Sequence, residues 1–331
     1  MRKIQELNLR LQGPAQDVRN PMTTRRQLLL ASVFVPALWA KRHRIDRSRI
    51  SAISDEIART PAEAIAFAKQ YGLQWLELRD MPGAKGQLYC ELPEQELQMA
   101  AKELREGGVR ISLLGAELLK FGLPGTVPLM AARDESAEAR EKRQAQETKR
   151  FDSRMDDLAK AIRAAHVLGT DKVRVFAFRR VAEPQTVLPR IADILGEMTK
   201  MAERERIRLL LENEASCNVA TCAELATILK MIPSRALGLN WDALNGRSRN
   251  ETPFPNGYAL LPKKRIGNVH VKGRSILTQY KDTHLDWASI FRALERDGYQ
   301  GEISLETHIS EGRIENSQAS MKEILRLVSA L

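Results

Sequence analysis

Leu209-Leu210-Leu211-Glu212-Asn213-Glu214 decides the fold, because a short apolar run stops there on an acid and the pattern returns three times before the chain ends. Leu237-Gly238-Leu239-Asn240-Trp241-Asp242 repeats it, then Val269-His270-Val271-Lys272, then Ile303-Ser304-Leu305-Glu306-Thr307-His308. Short runs this rich in Leu, Ile and Val read as buried strands, and segments of helical period separate them. The alternation continues toward the N-terminus. Arg49–Ser54, Leu73–Leu78, Val109–Leu114 and Lys172–Phe178 precede Arg208–Leu211, Ala236–Asn240, Ile266–Val271 and Glu302–Leu305, which makes eight strands. Helices are expected over Pro61–Tyr71, Pro93–Glu106, Glu147–Leu168, Val187–Arg204, Cys222–Met231, Trp287–Asp297 and Gln318–Ala330. Gly72, Gly107-Gly108, Gly169 and Gly298 fall where those helices should stop. Eight β/α pairs in this order predict an α/β protein, a single-domain (β/α)8 barrel, over residues 48–331. A doubly wound open sheet would need a glycine-rich turn after its first strand to cradle phosphate, and Ser54-Asp55-Glu56-Ile57 stands there instead. The charged stretch Arg133–Lys149 reads as the start of a solvated helix.

Composition is that of a folded globular chain. The 331 residues are 43% hydrophobic and 28% charged, neither a disordered nor a polytopic membrane composition. Cys90, Cys217 and Cys222 form no C-x-x-C pair, so neither a disulfide framework nor a thiolate zinc site is expected. A net charge of +10 raises the question of nucleic acid, but residues 1–47 hold ten Lys/Arg against three Asp/Glu and carry +7 of it. The barrel keeps only +3, too little for a surface that tracks phosphates, and no nucleic-acid partner is expected.

The basic leader has its own order. Thr24-Arg25-Arg26-Gln27 opens an apolar stretch, Leu28 to Trp39, which Ala40 and Lys41-Arg42 follow. That stretch is too short for a permanent membrane span, and the segment resembles a twin-arginine export signal. The resemblance implies handling by the twin-arginine export machinery, processing near Ala40 and a periplasmic protein with no stable membrane span. Leu38 at the minus-three position departs from the small residue usual there, so an uncleaved, anchored form is the alternative. Met22 would give a compact signal, which places residues 1–21 upstream of the true start.

Barrel enzymes set their chemistry at the C-terminal ends of strands, and here four consecutive strands end on ionisable residues. Glu212, Asp242, His270 and Glu306 therefore share one rim and can converge. Three carboxylates and an imidazole repel one another unless a cation lies between them. An oxygen-rich set with one nitrogen suits Mn²⁺, Mg²⁺, Co²⁺ or Fe²⁺, is compatible with Zn²⁺ and disfavours copper.

These four motifs resemble the metal-ligand motifs of the xylose isomerase-like barrel superfamily, specifically its sugar phosphate isomerase/epimerase branch related to ketose 3-epimerases. The likeness spans about residues 48–331 and is sharpest in the C-terminal half, with Glu77-Leu78-Arg79-Asp80 a weaker echo near the start. It implies one divalent metal on Glu212, Asp242, His270 and Glu306. It also implies that Glu212 and Glu306 act as the catalytic proton carriers, and that the substrate is a sugar or keto-sugar. The reaction implied is proton abstraction beside a carbonyl through an enediolate, ending in epimerisation or isomerisation. Glu77, Arg79, Asn245, Lys272, Arg274 and His308 are the candidate substrate-binding residues. Asn245 stands where ketose epimerases carry a histidine, and Arg274 is the nearest arginine after the ligand histidine.

Two other functions are weighed. Asp282-Thr283-His284 is similar to a ligand pair of the apurinic endonuclease branch, a metal phosphodiesterase, but five histidines in the chain are too few for three zincs. A secreted sugar-binding barrel without catalysis is the other. The export reading is checked directly: a reporter fused after residue 45 should leave the cytoplasm, and Arg25→Lys with Arg26→Lys should stop it, because the guanidinium pair and not charge alone is read. Undiminished export of the double variant refutes the twin-arginine route.

Overall fold

A computed structural model describes residues 44–131 and 135–331; the leader expected over residues 1–43 lies outside the described residues. The eight strands form as expected: β1 Ile50–Ala52, β2 Trp75–Leu78, β3 Arg110–Leu118, β4 Lys172–Val175, β5 Arg208–Glu212, β6 Leu237–Asp242, β7 Ile266–Lys272 and β8 Glu302–Glu306. All pair in parallel, in the order β1-β8-β7-β6-β5-β4-β3-β2, and a bridge between Ile53 and Glu77 joins the two ends. The result is a (β/α)8 barrel. The packed body takes in Ile45, which is fully buried and whose N–H donates to Glu295.

Helices α1 (Ser54–Ile57), α2 (Pro61–Tyr71), α3 (Glu94–Glu106), α4 (Ala137–Asp152), α5 (Arg154–Leu168), α6 (Leu188–Arg204) and α7 (Cys222–Met231) accompany the first five strands. Helices α8 (Ala243–Arg247), α9 (Tyr258–Leu260), α10 (Gly273–Ile276), α11 (Trp287–Arg296) and α12 (Arg313–Ser329) follow the last three. Local chemistry sets these boundaries. Thr60 caps α2 by accepting from the Glu63 N–H, Pro61 opens it, and Gly72 closes it at φ +65°, a conformation that costs glycine little. Thr221 and Glu224 form a reciprocal capping box on α7.

One helix differs from expectation. The helix expected over Glu147–Leu168 is two helices that meet at Ser153, and the first begins earlier, where Ser136 caps it. Its face is mostly solvated, as the charge run implies. Between β6 and β7 there is no long helix. Pro253, Pro255 and Pro262 each lack an N–H to donate, and the chain takes only the short turns α8 and α9 there. An antiparallel hairpin of Asp80–Met81 with Ala84–Leu88 follows β2.

Strand register sets the height of the rim residues. Around the second half of the barrel Glu212 lies level with Asn240, Asp242 with His270, and Lys272 with Glu306. Each strand is thus staggered against the last, which lets side chains from four strands meet at one height. Among the described residues no helix is long and apolar enough to cross a membrane.

At the opposite end of β8 the backbones of Gly301 and Gly267 approach so closely that a Cβ on Gly301 would lie 2.4 Å from the Gly267 carbonyl oxygen. Gly301→Ala should therefore cost about 1–3 kcal/mol through forced backbone displacement. A denaturant midpoint equal to that of the parent refutes this packing.

Candidate active site

The strand-end residues converge. Glu212, Asp242, His270 and Glu306 are all buried, and one ligand atom from each lies within 4.8 Å of the others. His270 Nδ1 stands 3.8 Å from Glu212 Oε2 and 3.5 Å from Glu306 Oε2. Its Nε2 lies 3.0 Å from both oxygens of Glu77. That pairing holds the ring with Nε2–H on a carboxylate and leaves Nδ1 facing the other acids, the orientation a metal-binding histidine needs.

The fit to a cation is visible in what the acids lack. Glu306 Oε2 and Asp242 Oδ2 are buried without a hydrogen bond. Lys272 Nζ stands 2.7 Å from Asp242 Oδ2 and 3.5 Å from Glu306 Oε2 as an ion pair, while its own hydrogen bond goes to Asn245 Oδ1 at 2.8 Å. Buried polar atoms left so incompletely satisfied are uncommon, and carboxylates around an imidazole are donors of the kind divalent cations take.

Charge organises the site. Burial opposes ionisation of Glu212, but Arg174, 3.2 Å away and itself buried, together with His270, draws its carboxyl down to about 2. Burial likewise opposes Glu306, and Lys272, His308, His270 and Arg79 hold it well below the usual carboxylate range. Asp242 moves the other way: burial, then the facing Glu306 and Glu212, push it up against the pull of Lys272. Burial disfavours a charged His270, yet Glu77 and Glu212 outweigh it and raise the imidazole well above its ordinary range.

The other sequence candidates fall in different places. Glu77 is fully buried against His270, with both oxygens engaged there and Oε2 also accepting from Asn268, so it holds the histidine. Lys272 and Asn245 lie within the cluster, and Asn245 donates its N–H to Asp242 Oδ1. Arg79 bridges Asp55, Glu56 and Glu306 at 2.5, 3.0 and 3.5 Å. His308 is largely exposed, with Nδ1 3.7 Å from Glu306 Oε1. Arg274 is exposed and stacks on Tyr280, and the structure does not bring it to the cluster. His284 likewise lies outside the metal-capable groups found among the described residues.

Four contributors escaped the sequence reading. Asn240 donates to Glu212 Oε2 at 3.1 Å, and its place two residues before Asp242, on the same strand face, was a usable signal. Arg174 sits in the middle of β4, where an arginine in an otherwise apolar strand must find a buried acid. Asp55 and Glu56 follow β1, at the functional end of the barrel. Beside them a cleft of about 540 Å³, walled by Arg79, Asp80, Lys85, His308 and Arg313, opens at that end.

Removing Arg174 leaves Glu212 buried with only the Asn240 amide and the more distant His270 against its charge. Arg174→Met should destabilise the chain by about 3–5 kcal/mol at pH 7. Glu212 is depressed in the parent, so its stabilising ionisation is in full force above the ordinary glutamate range and is lost as pH falls toward about 2. In the variant the group can protonate at much higher pH, so the deficit should shrink between pH 7 and pH 4. Denaturant melts across that range check it, and a constant difference refutes it.

Comparison with known proteins places this geometry in context. The zinc-bound IOLI protein shares 16% identity at a TM-score of 0.65, over 85% of this chain and 98% of that one. The 3-keto-D-glucoside 4-epimerase YcjR of E. coli shares 15% at 0.62, over 85% and 99%. D-allulose 3-epimerase of Methylomonas sp., solved with D-allulose, shares 17% at 0.60, over 86% and 96%. At these identities the likeness is one of fold. No curated protein sequence matches the chain. The model of the xylose isomerase-like TIM barrel family matches residues 65–327, and the chain belongs to that family.

Proposed function

We propose that this chain is a divalent-metal-dependent sugar epimerase or isomerase that moves a proton on and off a carbon beside a carbonyl. The observation that carries it is the convergence of two ionised glutamates, Glu212 and Glu306, within 3.8 Å of His270 Nδ1, with Glu306 Oε2 buried and held by no hydrogen bond. Glu212, Asp242, His270 and Glu306 would hold the ion, with Mn²⁺, Co²⁺, Mg²⁺, Fe²⁺ and Zn²⁺ all compatible with the donors. A cation bound there supplies Lewis acidity that polarises the carbonyl and draws off the charge of an enediolate.

The chain's own groups do the rest. Glu212 and Glu306 come from β5 and β8, with two strands between them, so they reach the substrate from different directions. One carboxylate takes the proton from carbon. If the other, having gained a proton from solvent, returns it to the opposite face, the product is the epimer. If the first returns it to the adjacent carbon, the product is the isomer. Arg174 and Asn240 keep Glu212 ionised and fixed, and Lys272 does so for Glu306.

An unphosphorylated sugar or keto-sugar is the substrate class this reading favours. Arg79, the cation nearest the glutamates on the cleft side, is already tied to three acids, which leaves it little capacity for a phosphate. The leader motif at Arg25-Arg26 agrees with that choice, since an exported enzyme would meet free sugars. The phosphodiesterase reading finds no support in the placement of His284.

Deuterium incorporation tests the proposal. The metal-loaded protein, screened against unphosphorylated ketoses in D2O, should exchange one carbon-bound hydrogen with solvent. Glu212→Gln and Glu306→Gln should each lower turnover by about 10²–10⁴-fold, the range of general acid–base catalysis. A binding protein or a phosphodiesterase gives no exchange, and turnover unaffected in both variants refutes the two-carboxylate assignment.

A further inference from the structure

Glu306 serves two neighbourhoods with its two oxygens. Oε2 faces the buried cluster, 3.5 Å from both His270 Nδ1 and Lys272 Nζ. Oε1 faces outward, 3.5 Å from an Arg79 guanidinium nitrogen and 3.7 Å from His308 Nδ1. Beyond it lies Glu56, which accepts the His308 N–H at 2.6 Å and takes a second Arg79 nitrogen at 3.0 Å. Glu56, Glu306 and His308 each offer one ligand atom within 4.8 Å of the others, the same span as the inner four.

A carboxylate shared between two ligand clusters is the frame of a two-metal centre, in which paired cations stand about 3.5–4 Å apart and clamp a reacting phosphate. Here the outer place is taken. The Arg79 guanidinium, four-fifths buried, lies among Asp55, Glu56 and Glu306 and, among the described residues, carries the only positive charge that these three acids share at ion-pair distance with one another. A second metal ion would meet that charge in a partly desolvated site, where repulsion between cations is far stronger than in water.

We propose that Arg79 stands in for a second cation: it restricts the centre to one metal ion, and Glu56, Glu306 and His308 form a latent second divalent-cation site that opens when the guanidinium is removed. The inference rests on the metal reading of the inner cluster given under Proposed function. It gives Arg79 a positioning role, orienting Glu306 by its outer oxygen while the inner one stays available. It also gives a physical reason why this barrel runs one-metal proton transfer and not phosphodiester hydrolysis.

Metal stoichiometry tests it. The full chain is dialysed against zinc and separately against manganese, and bound metal is counted per chain by elemental analysis. The parent should hold one ion and Arg79→Ala two. Arg79→Lys, which keeps a cation, should stay at one, and His308→Ala added to Arg79→Ala should return the count to one. The thermal midpoint of Arg79→Ala should also rise with zinc concentration more steeply than that of the parent, because binding to the native state alone stabilises it. If Arg79→Ala does not fold, Arg79→Met keeps the aliphatic stem and carries the same expectation. One ion in a folded Arg79→Ala or Arg79→Met overturns the inference, as do two ions in the parent. A parent that binds none overturns the metal reading itself, and this inference with it.

Discussion

Mutual repulsion among buried carboxylates is the constraint on which the rest of this site depends. Glu77, Glu212, Asp242 and Glu306 lie inside one end of a barrel, each at most a few per cent exposed. Left alone, four such charges would raise one another's pKa until some became neutral. Arg174 and Lys272 are the buried cations set directly against them. With Arg79, which Glu306 shares with Asp55 and Glu56, the acids still outnumber the cations, and His270 Nδ1 lies within 3.8 Å of Glu212 and Glu306. The imbalance falls partly on the imidazole, whose ionisation Glu77 and Glu212 drive upward against burial. A metal ion held there would need the imidazole neutral, so its binding would release that proton.

The fold was legible because the strands are buried on both faces of the sheet. Runs such as Leu209-Leu210-Leu211 and Val269-His270-Val271 have no solvated side to interrupt them, and all eight strands stand within a few residues of their expected places. One helical boundary was less legible for a specific reason. The Ser153 break joins two helices of almost continuous direction of hydrogen bonding, with the Ser153 N–H still donating to Lys149, so no strong stop signal marks it. The connection from β6 to β7 carries three prolines, and their missing donors were a readable sign that no long helix could form there.

The site was half legible, and the halves divide by sequence distance. The inner three acids and the imidazole end consecutive strands, so a periodic search along the chain finds them. Their holders do not lie nearby: Glu77 reaches His270 from 193 residues away, and Arg79 reaches Glu306 from 227. Arg174 reaches Glu212 across one strand pair, but from the strand's middle, where sequence reading expects core and not chemistry. Glu77 holds the histidine where the sequence pointed to substrate. A glutamate at a strand end is ambiguous between those two tasks until burial is known, and burial is a tertiary property.

That division describes how the barrel is built. Strands β5 to β8 supply the groups that converge, together with Lys272, and the segment from β1 to β4 supplies further partners that fix them: Glu77 against His270, Arg174 against Glu212, and Arg79, itself held by Asp55 and Glu56, against Glu306. Closure is what brings the two sets together, since β1 pairs with β8 and carries Glu56 to the His308 N–H beside Glu306. Within the barrel, Asn240, Asn268 and Ser304 lie beside the cluster and pass hydrogen bonds from Glu212 to Glu77 and across to β8. An apolar interior at that level would leave the inner oxygens of Glu212 and Glu77 without those donors, at a cost of about 1–3 kcal/mol for each unsatisfied group. The polar neighbours therefore follow from the charged groups: once four acids are buried at the rim, the strands around them must carry amides and hydroxyls within hydrogen-bond reach.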